Sequence, residues 1–435
     1  MQRRELIQLM AATGFTPLLG HAQTTAALKP GKPYAGTTIN VLSVVAPQFS
    51  AHEAKLAEFE ALTGIKVKYQ YVPFPSMREK LTAELVAKTD QYDVLSAMDV
   101  WGPSLYNLFD PLNDRIAEKK IDMLARYPYA HLRATRDQNG TGKNILGFPI
   151  RGHVQLMFYR KDIFAKLGLK PPETWQQMIE IGQQVQSKSD LAGVAMYYGK
   201  TAGQNLMIWF NYLWGMGSDL LDARGQPLFN NAQGVAATQS YVDVLLKHKV
   251  APAGSASFNE ADAVNSVAQG KSAMVPVWWW RYAGLVDPKT STLKPDQVGF
   301  APLPSMPGKE ATTYTNTWFY GINKNSKRKD ATMEFLSWLS NPEIEKSVLL
   351  DRKLNEVVAV QTPNLIDGDV NLRFGGMHLF GAQALKGAKG TPLFAQWPQV
   401  SDILEASISE IITGKIDVKS ALDTAATRVK RALRS

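Results

Sequence analysis

The chain has 435 residues, 45% of them hydrophobic and 20% charged, with a formal net charge of +9 and no cysteine. That length holds two or three domains with full cores, and the composition excludes a disordered, collagen-like or disulfide-stapled chain. Without cysteine there is no thiol catalysis, no Cys-ligated zinc or iron–sulfur cluster, and no cysteine for a bacterial lipid anchor.

Residues 1–22 read as an export signal. Arg3 and Arg4 form a basic start, residues 9–20 a short apolar run broken by Gly14 and Pro17, and Gly20-His21-Ala22 a small-residue cleavage point. Arg3-Arg4 followed by Leu6-Ile7 is similar to a twin-arginine signal. No later stretch reaches the roughly 18 apolar residues of a membrane span, so the mature chain is expected free in a periplasm. Cleavage removes Arg3, Arg4 and Glu5 and leaves a charge of +8 from 46 basic and 38 acidic residues. Basic residues gather only near the end, at Lys415, Lys419, Arg428, Lys430, Arg431 and Arg434. They read as the solvated face of a terminal helix near its negative dipole end, and no nucleic-acid partner is expected.

Residues 23–37 are polar, marked by Pro and Gly, and expected to be a flexible leader before the fold begins at Thr38. The run 39–45 reads as a strand, 51–63 as a helix stopped by Gly64, and 65–72 as a second strand with Val67, Tyr69 and Tyr71 alternating. Strand, helix and strand within some 30 residues make a βαβ unit with parallel strands. A helix over 76–88 and a short strand over 93–96 continue the α/β layer. A turn near 137–147 leads into extended chain that runs on to Tyr159; helices follow from Thr174, over 204–215 and over 232–247. Residues 274–282 begin as a buried strand, Pro302, Pro304 and Pro307 mark a loop, and 312–322 is extended and aromatic. Residues 330–340 are helical, and Leu404, Ile408, Ile411 and Ile412 repeat at helical spacing.

Catalytic and metal motifs fail on their chemistry. Gly270-Lys271-Ser272 matches the tail of a phosphate loop, but Asn265 stands where its first glycine belongs. Asp367, Asp369 and Asn371 begin like a calcium loop, yet Leu372 replaces the required glycine and His378 the bidentate glutamate. The six histidines show no zinc spacing, and nothing nominates a carboxylate pair for glycoside cleavage. No enzyme activity, metal or cofactor is expected.

Aromatic residues stand out instead. Asp99 and Trp101 fall at the carboxyl end of the third strand, where open α/β sheets bind ligands. Trp278-Trp279-Trp280 follows a strand directly; alternation puts Trp278 and Trp280 on one face and Trp279 in the core. Trp175 and Trp338 are also expected in the core, whereas Trp318 sits among Tyr314, Asn316 and Tyr320. Flat indole faces against sugar C–H groups, with Asp, Asn and Arg on the hydroxyls, suit a carbohydrate.

The chain resembles the family 1 extracellular solute-binding proteins of bacterial ATP-driven sugar importers, the maltose-binding-protein-like family. The match is carried in order by 58–67 (EFEALTGIKV), 147–150 (GFPI) with 158–162 (FYRKD), 212–217 (YLWGMG) with 222–225 (DARG), 258–260 (FNE), 269–274 (QGKSAM) and 298–304 (VGFAPLP). The region from Phe258 to Pro304 looks closest to sugar-alcohol and monosaccharide binders. The resemblance implies two α/β lobes, each a mainly parallel sheet flanked by helices, joined by hinge strands and closing on the ligand. It places 38–150 with 275–314 in one lobe and 151–274 with 315–435 in the other. By position it implies Gln48, Asp99, Trp101, Arg151, His153, Trp278, Trp280, Asn316 and Trp318 as ligand-binding residues. His153 stands where the maltose binder has a carboxylate, and Pro47-Gln48 where it has an acid–lysine pair, so maltose specificity is not implied. The expected protein is a monomeric periplasmic binder of a small sugar or polyol that serves an inner-membrane permease. An acidic or phosphorylated sugar ligand, which Arg151 could bind bidentately, and a secreted carbohydrate-active enzyme stay open as alternatives.

Overall fold

A computed structural model describes residues 28–354, 357–390 and 392–434; the export signal expected at 1–22 lies outside them. The described residues form eleven strands: β1 (Thr38–Val44), β2 (Lys66–Val72), β3 (Val94–Met98), β4 (Phe148–Gly152), β5 (Gln155–Arg160), β6 (Ala192–Val194), β7 (Ser272–Trp278), β8 (Val298–Pro302), β9 (Thr313–Thr315), β10 (Thr317–Ile322) and β11 (Ala388–Gly390). The chain divides into two lobes. One takes the described residues up to His153, Thr315–Ala382 and Gly390–Ala395; the other takes Val154–Tyr314, Gln383–Lys389 and the described residues from Gln396.

The first lobe is a five-stranded sheet in the order β2-β1-β3-β10-β4. Strands β1, β2 and β3 are parallel, while β10 lies antiparallel to both β3 and β4. Helix Leu56–Thr63, which links β1 to β2, stops at Gly64, whose φ of 71° L side chains rarely adopt. That helix buries Phe59 against Phe335 (ring centroids 5.4 Å apart) and Trp338 (5.1 Å) of helix Lys329–Leu339.

The second lobe is a four-stranded sheet in the order β6-β7-β5-β8, with β6 parallel to β7 and β5 antiparallel to both β7 and β8. Helix Trp175–Lys188 starts in a capping box between Thr174 and Gln177. It packs Trp175 on Tyr212 at 4.2 Å from the aromatic helix Gln204–Gly215. Helices Trp397–Ile412 and Val418–Ala432 complete this lobe, and Leu404, Ile408, Ile411 and Ile412 are all buried as their spacing requires.

Two expectations need correction. Residues 275–314 belong to the second lobe, because β7 and β8 pair with β5; residues 315–382 belong to the first, because β10 inserts between β3 and β4. Both sheets are mainly parallel, as expected: β1, β2, β3 and β4 share one direction against β10, and β6, β7 and β8 share one against β5. Residues 28–37, expected as flexible leader, are turns tied to the first lobe: Lys29 N donates to Glu334 (2.9 Å) and Gly36 N to the Gly64 carbonyl (2.9 Å). Among the described residues no helix is long and apolar enough to cross a membrane.

Candidate functional site

Strand directions decide which residues meet in the first lobe. The parallel strands β1, β2 and β3 end at one edge of the sheet, so the residues following them gather there. Antiparallel β10 begins at that edge, and β4 ends there. Trp318 therefore lies opposite Met98 on one side and Arg151 on the other. Asp99, Trp101, Arg151, His153, Asn316 and Trp318 are thus brought to one strand edge.

Asp99 is 2% exposed. Its Oδ1 accepts from Val100 N at 2.8 Å and its Oδ2 from Thr317 N at 3.2 Å. Burial pushes the carboxyl up to about 7, against those two amides and the charge of Arg133, which favour ionisation. Trp101 closes a 3₁₀ turn over Asp99–Trp101. Its ring meets Trp318 edge-on at 5.2 Å and stacks on Phe74 at 5.7 Å with a 27° tilt. Phe49 also meets Trp318 edge-on, at 5.7 Å. Phe74 is 42% exposed, so this aromatic cluster has one open flank.

Arg151 and His153 are both buried. His153 N donates to the Asn316 carbonyl at 2.9 Å, and Thr315 Oγ1 to the His153 carbonyl at 2.5 Å. Asn316 is buried as well, and its Oδ1 meets no hydrogen-bond donor among the described residues. A side chain at Gly152 would sit 2.1 Å from the His131 ring, which fixes glycine there. Burial holds His131 down to about 4, while the backbone of Val360 and His153 opposes that shift. Gln48 is engaged differently: its Oε1 accepts from Val358 N at 2.9 Å, and its Nε2 donates to the Val358 carbonyl at 3.3 Å.

The second lobe presents its own strand edge, with Gln155 at the start of β5 opposite Trp278 at the end of β7. Gln155 Oε1 accepts from Asn211 Nδ2 at 2.7 Å, and Asn211 Oδ1 accepts from Tyr314 N at 2.7 Å. Trp278 packs on Tyr314 at 5.7 Å, and Tyr314 stacks on Phe210 at 5.6 Å. Trp279 is fully buried, as the core position it was expected to be; Trp175 and Trp338 are buried too. The expectation that Trp278 and Trp280 share a strand face is not met, because β7 ends at Trp278 and residues Trp279–Arg281 form a 3₁₀ turn. Trp280 is half-buried under the Arg281 guanidinium, 4.2 Å from its ring centre. Arg281 in turn pairs with buried Glu260.

Sequence reasoning missed Phe49, Phe74, Gln155 and Asn211. Phe74 had a signal: Pro73-Phe74-Pro75 follows directly on a strand whose partners end at the same edge. Gln155 and Asn211 had none, since their pairing depends on a strand and a helix 56 positions apart. Among the described residues no three His, Asp or Glu side chains are grouped to hold a metal ion.

Two sheets flanked by helices, each with aromatic and polar side chains at one strand edge, define a two-lobed solute-binding protein. The model of the bacterial extracellular solute-binding proteins matches residues 45–346, and the chain belongs to that family. A probable amino-acid ABC transporter periplasmic-binding protein, y4oP of Sinorhizobium fredii, is 28% identical over 84% of this chain and 84% of its own. The mannitol-binding protein of Pseudomonas aeruginosa is 25% identical over 66% of this chain and 65% of its own. In fold, the chain is similar to a solute-binding protein from Agrobacterium radiobacter solved with ribitol, at a TM-score of 0.77 and 24% identity, covering 92% of this chain and 99% of that one.

Proposed function

We propose that the protein captures a small sugar or polyol in a periplasm and delivers it to the membrane permease of an ATP-driven importer, its two lobes closing on the ligand. The observation that carries this reading is the first-lobe edge, where Trp101, Trp318 and half-open Phe74 stand beside buried Asp99. An aromatic face stacks on the C–H groups of a polyol, and a carboxylate accepts from its hydroxyls; together they recognise a neutral, hydroxyl-rich solute. Mannitol and ribitol binding by similar proteins supports the same class. Arg151 at that edge supports a second reading, an acidic or phosphorylated sugar held bidentately. Asp99, Trp101, Arg151, His153, Asn316 and Trp318 are the proposed contacts from the first lobe, and Trp278 and Trp280 those from the second.

Isothermal titration with mannitol, ribitol, hexoses, sugar acids and sugar phosphates tests both readings. Saturable binding of a neutral polyol or sugar is expected, with the ligand recovered unchanged. Binding of the anionic compounds alone would overturn the neutral reading, and turnover of any of them would overturn a pure binding role.

A further inference from the structure

The irregular segment 357–361 is almost fully buried, with Val357, Val358, Ala359, Val360 and Gln361 each at most 3% exposed. Buried backbone amides outside helices and sheets need acceptors, and here side chains from three separate elements supply them. Val358 N donates to Gln48 Oε1 (2.9 Å), Ala359 N to His378 Nε2 (3.1 Å), Val360 N to Glu345 Oε1 (2.8 Å) and Gln361 N to Glu345 Oε2 (3.3 Å). Gln48 follows β1, Glu345 lies on helix Pro342–Leu350 and His378 on helix Met377–Lys386. As an acceptor at Nε2, His378 must be neutral there; burial beside Arg373, which pushes it down to about 3, keeps it so. Asn364 Nδ2 completes the Glu345 site at 2.6 Å.

Two side chains, Gln48 and His131, link this strap to β4 and the residue after it. Gln48 Nε2, bound to the Val358 carbonyl at 3.3 Å, also reaches the Ile150 carbonyl at 3.5 Å. His131 faces the backbone of both Val360 and His153 and packs against Gly152. Ile150 to His153 is the stretch that carries Arg151 to the candidate site.

We infer that the 357–361 strap is a positioning element for the ligand site, and that Gln48 serves binding by fixing the end of β4 from behind rather than by touching ligand. Gln48 is 2% exposed, its Nε2 hydrogens go to the Ile150 and Val358 carbonyls and its Oε1 accepts from Val358 N, so a ligand acceptor could reach its amide side only by breaking these bonds. Glu345 acts on the same strap from its other end. The inference rests on the solute-binding reading, and its test separates the two.

The test uses the full chain carrying Gln48→Leu or Glu345→Gln. Titration with mannitol and ribitol gives Kd, and amide hydrogen exchange follows residues 148–153 and 357–361. Both variants are expected to weaken binding about tenfold, the scale of one lost buried hydrogen bond. Both should also speed exchange over 148–153. Weakening by Gln48→Leu alone, with Glu345→Gln unchanged, would show that Gln48 touches the ligand and overturn the inference. Unchanged exchange at 148–153 in both variants would overturn it as well. If the unaltered protein binds neither polyol, the polyol ligand is wrong while the exchange comparison still decides the strap. Should Gln48→Leu not fold, Gln48→Glu keeps the acceptor for Val358 N and removes the donor to Ile150; faster exchange over 148–153 is again expected, and no change overturns the inference.

Discussion

The buried Asp99 carboxyl makes stability itself a reporter on the site. In the folded chain its pKa is raised from 3.8 to about 7, chiefly by burial. Below 3.8 the group is protonated in both folded and unfolded chains and contributes no difference between them. Between 3.8 and about 7 the unfolded chain releases the proton while the folded chain retains it, so stability falls as pH rises across that window and levels above it. At roughly 1.4 kcal/mol per pH unit, the full fall amounts to about 4 kcal/mol. Asp99→Asn removes the titration; at low pH it replaces a neutral acid by a neutral amide of the same shape. Its misplaced NH₂ faces either Val100 N or Thr317 N, which costs about 1–3 kcal/mol. Urea unfolding of both proteins at pH 4.5, 5.5, 6.5 and 7.5 gives the comparison. The ligand-free variant is expected to gain on the parent steadily between pH 4.5 and 7.5, so that the difference between them closes or reverses sign. Glu345, also raised to about 7, is present in both proteins and cancels. Parallel pH profiles for the two would refute the view that Asp99 is held against its ionisation.

The aromatic cluster separates binding from folding: Phe74→Ala, at an exposed ring, should weaken polyol binding about fivefold with the melting temperature nearly unchanged, whereas Trp101→Ala should also destabilise by about 3–5 kcal/mol, both read by titration and thermal melts. Glu334→Ala would remove the buried carboxylate that lies 2.6 Å from Lys119, whose side chain is 7% exposed, and that accepts from Lys29 N; it should destabilise the chain by about 1–3 kcal/mol in urea unfolding while leaving ligand affinity unchanged.

Local pattern was legible in the sequence wherever one face of an element is buried. Helix Lys329–Leu339 and the stripe through Leu404 and Ile412 fall where periodicity placed them. Helix Leu56–Thr63 ends at the glycine that marked its stop, although residues Ala51–Lys55 before it are a 3₁₀ turn rather than helix. Lobe membership was not legible. Whether β7 joins β5 or a strand of the other sheet depends on long-range pairing, and a buried strand reads the same in either lobe. The site split in the same way. Asp99 and Trp101 could be placed because a parallel strand must end somewhere and the residues after it gather there. Gln48 could not be read, because its partner Val358 lies 310 positions away. The break at Trp279 was hidden because nothing in three consecutive tryptophans marks where a strand gives way to a turn.

The position of β10 bears on how the chain acquires its structure. Four strands that span residues 155–302 complete the second sheet, but the first has a gap between β3 and β4 until residues 317–322 arrive. A chain that emerges from its amino end therefore has β1, β2 and β3 able to pair early, while β4 lacks the strand that joins it to β3. The later-made sheet can close first, and the earlier-made one must wait with unpaired backbone on two strands. Such delayed, non-local pairing slows folding and leaves sticky edges in the interval. For this chain the vulnerable interval ends with Ile322.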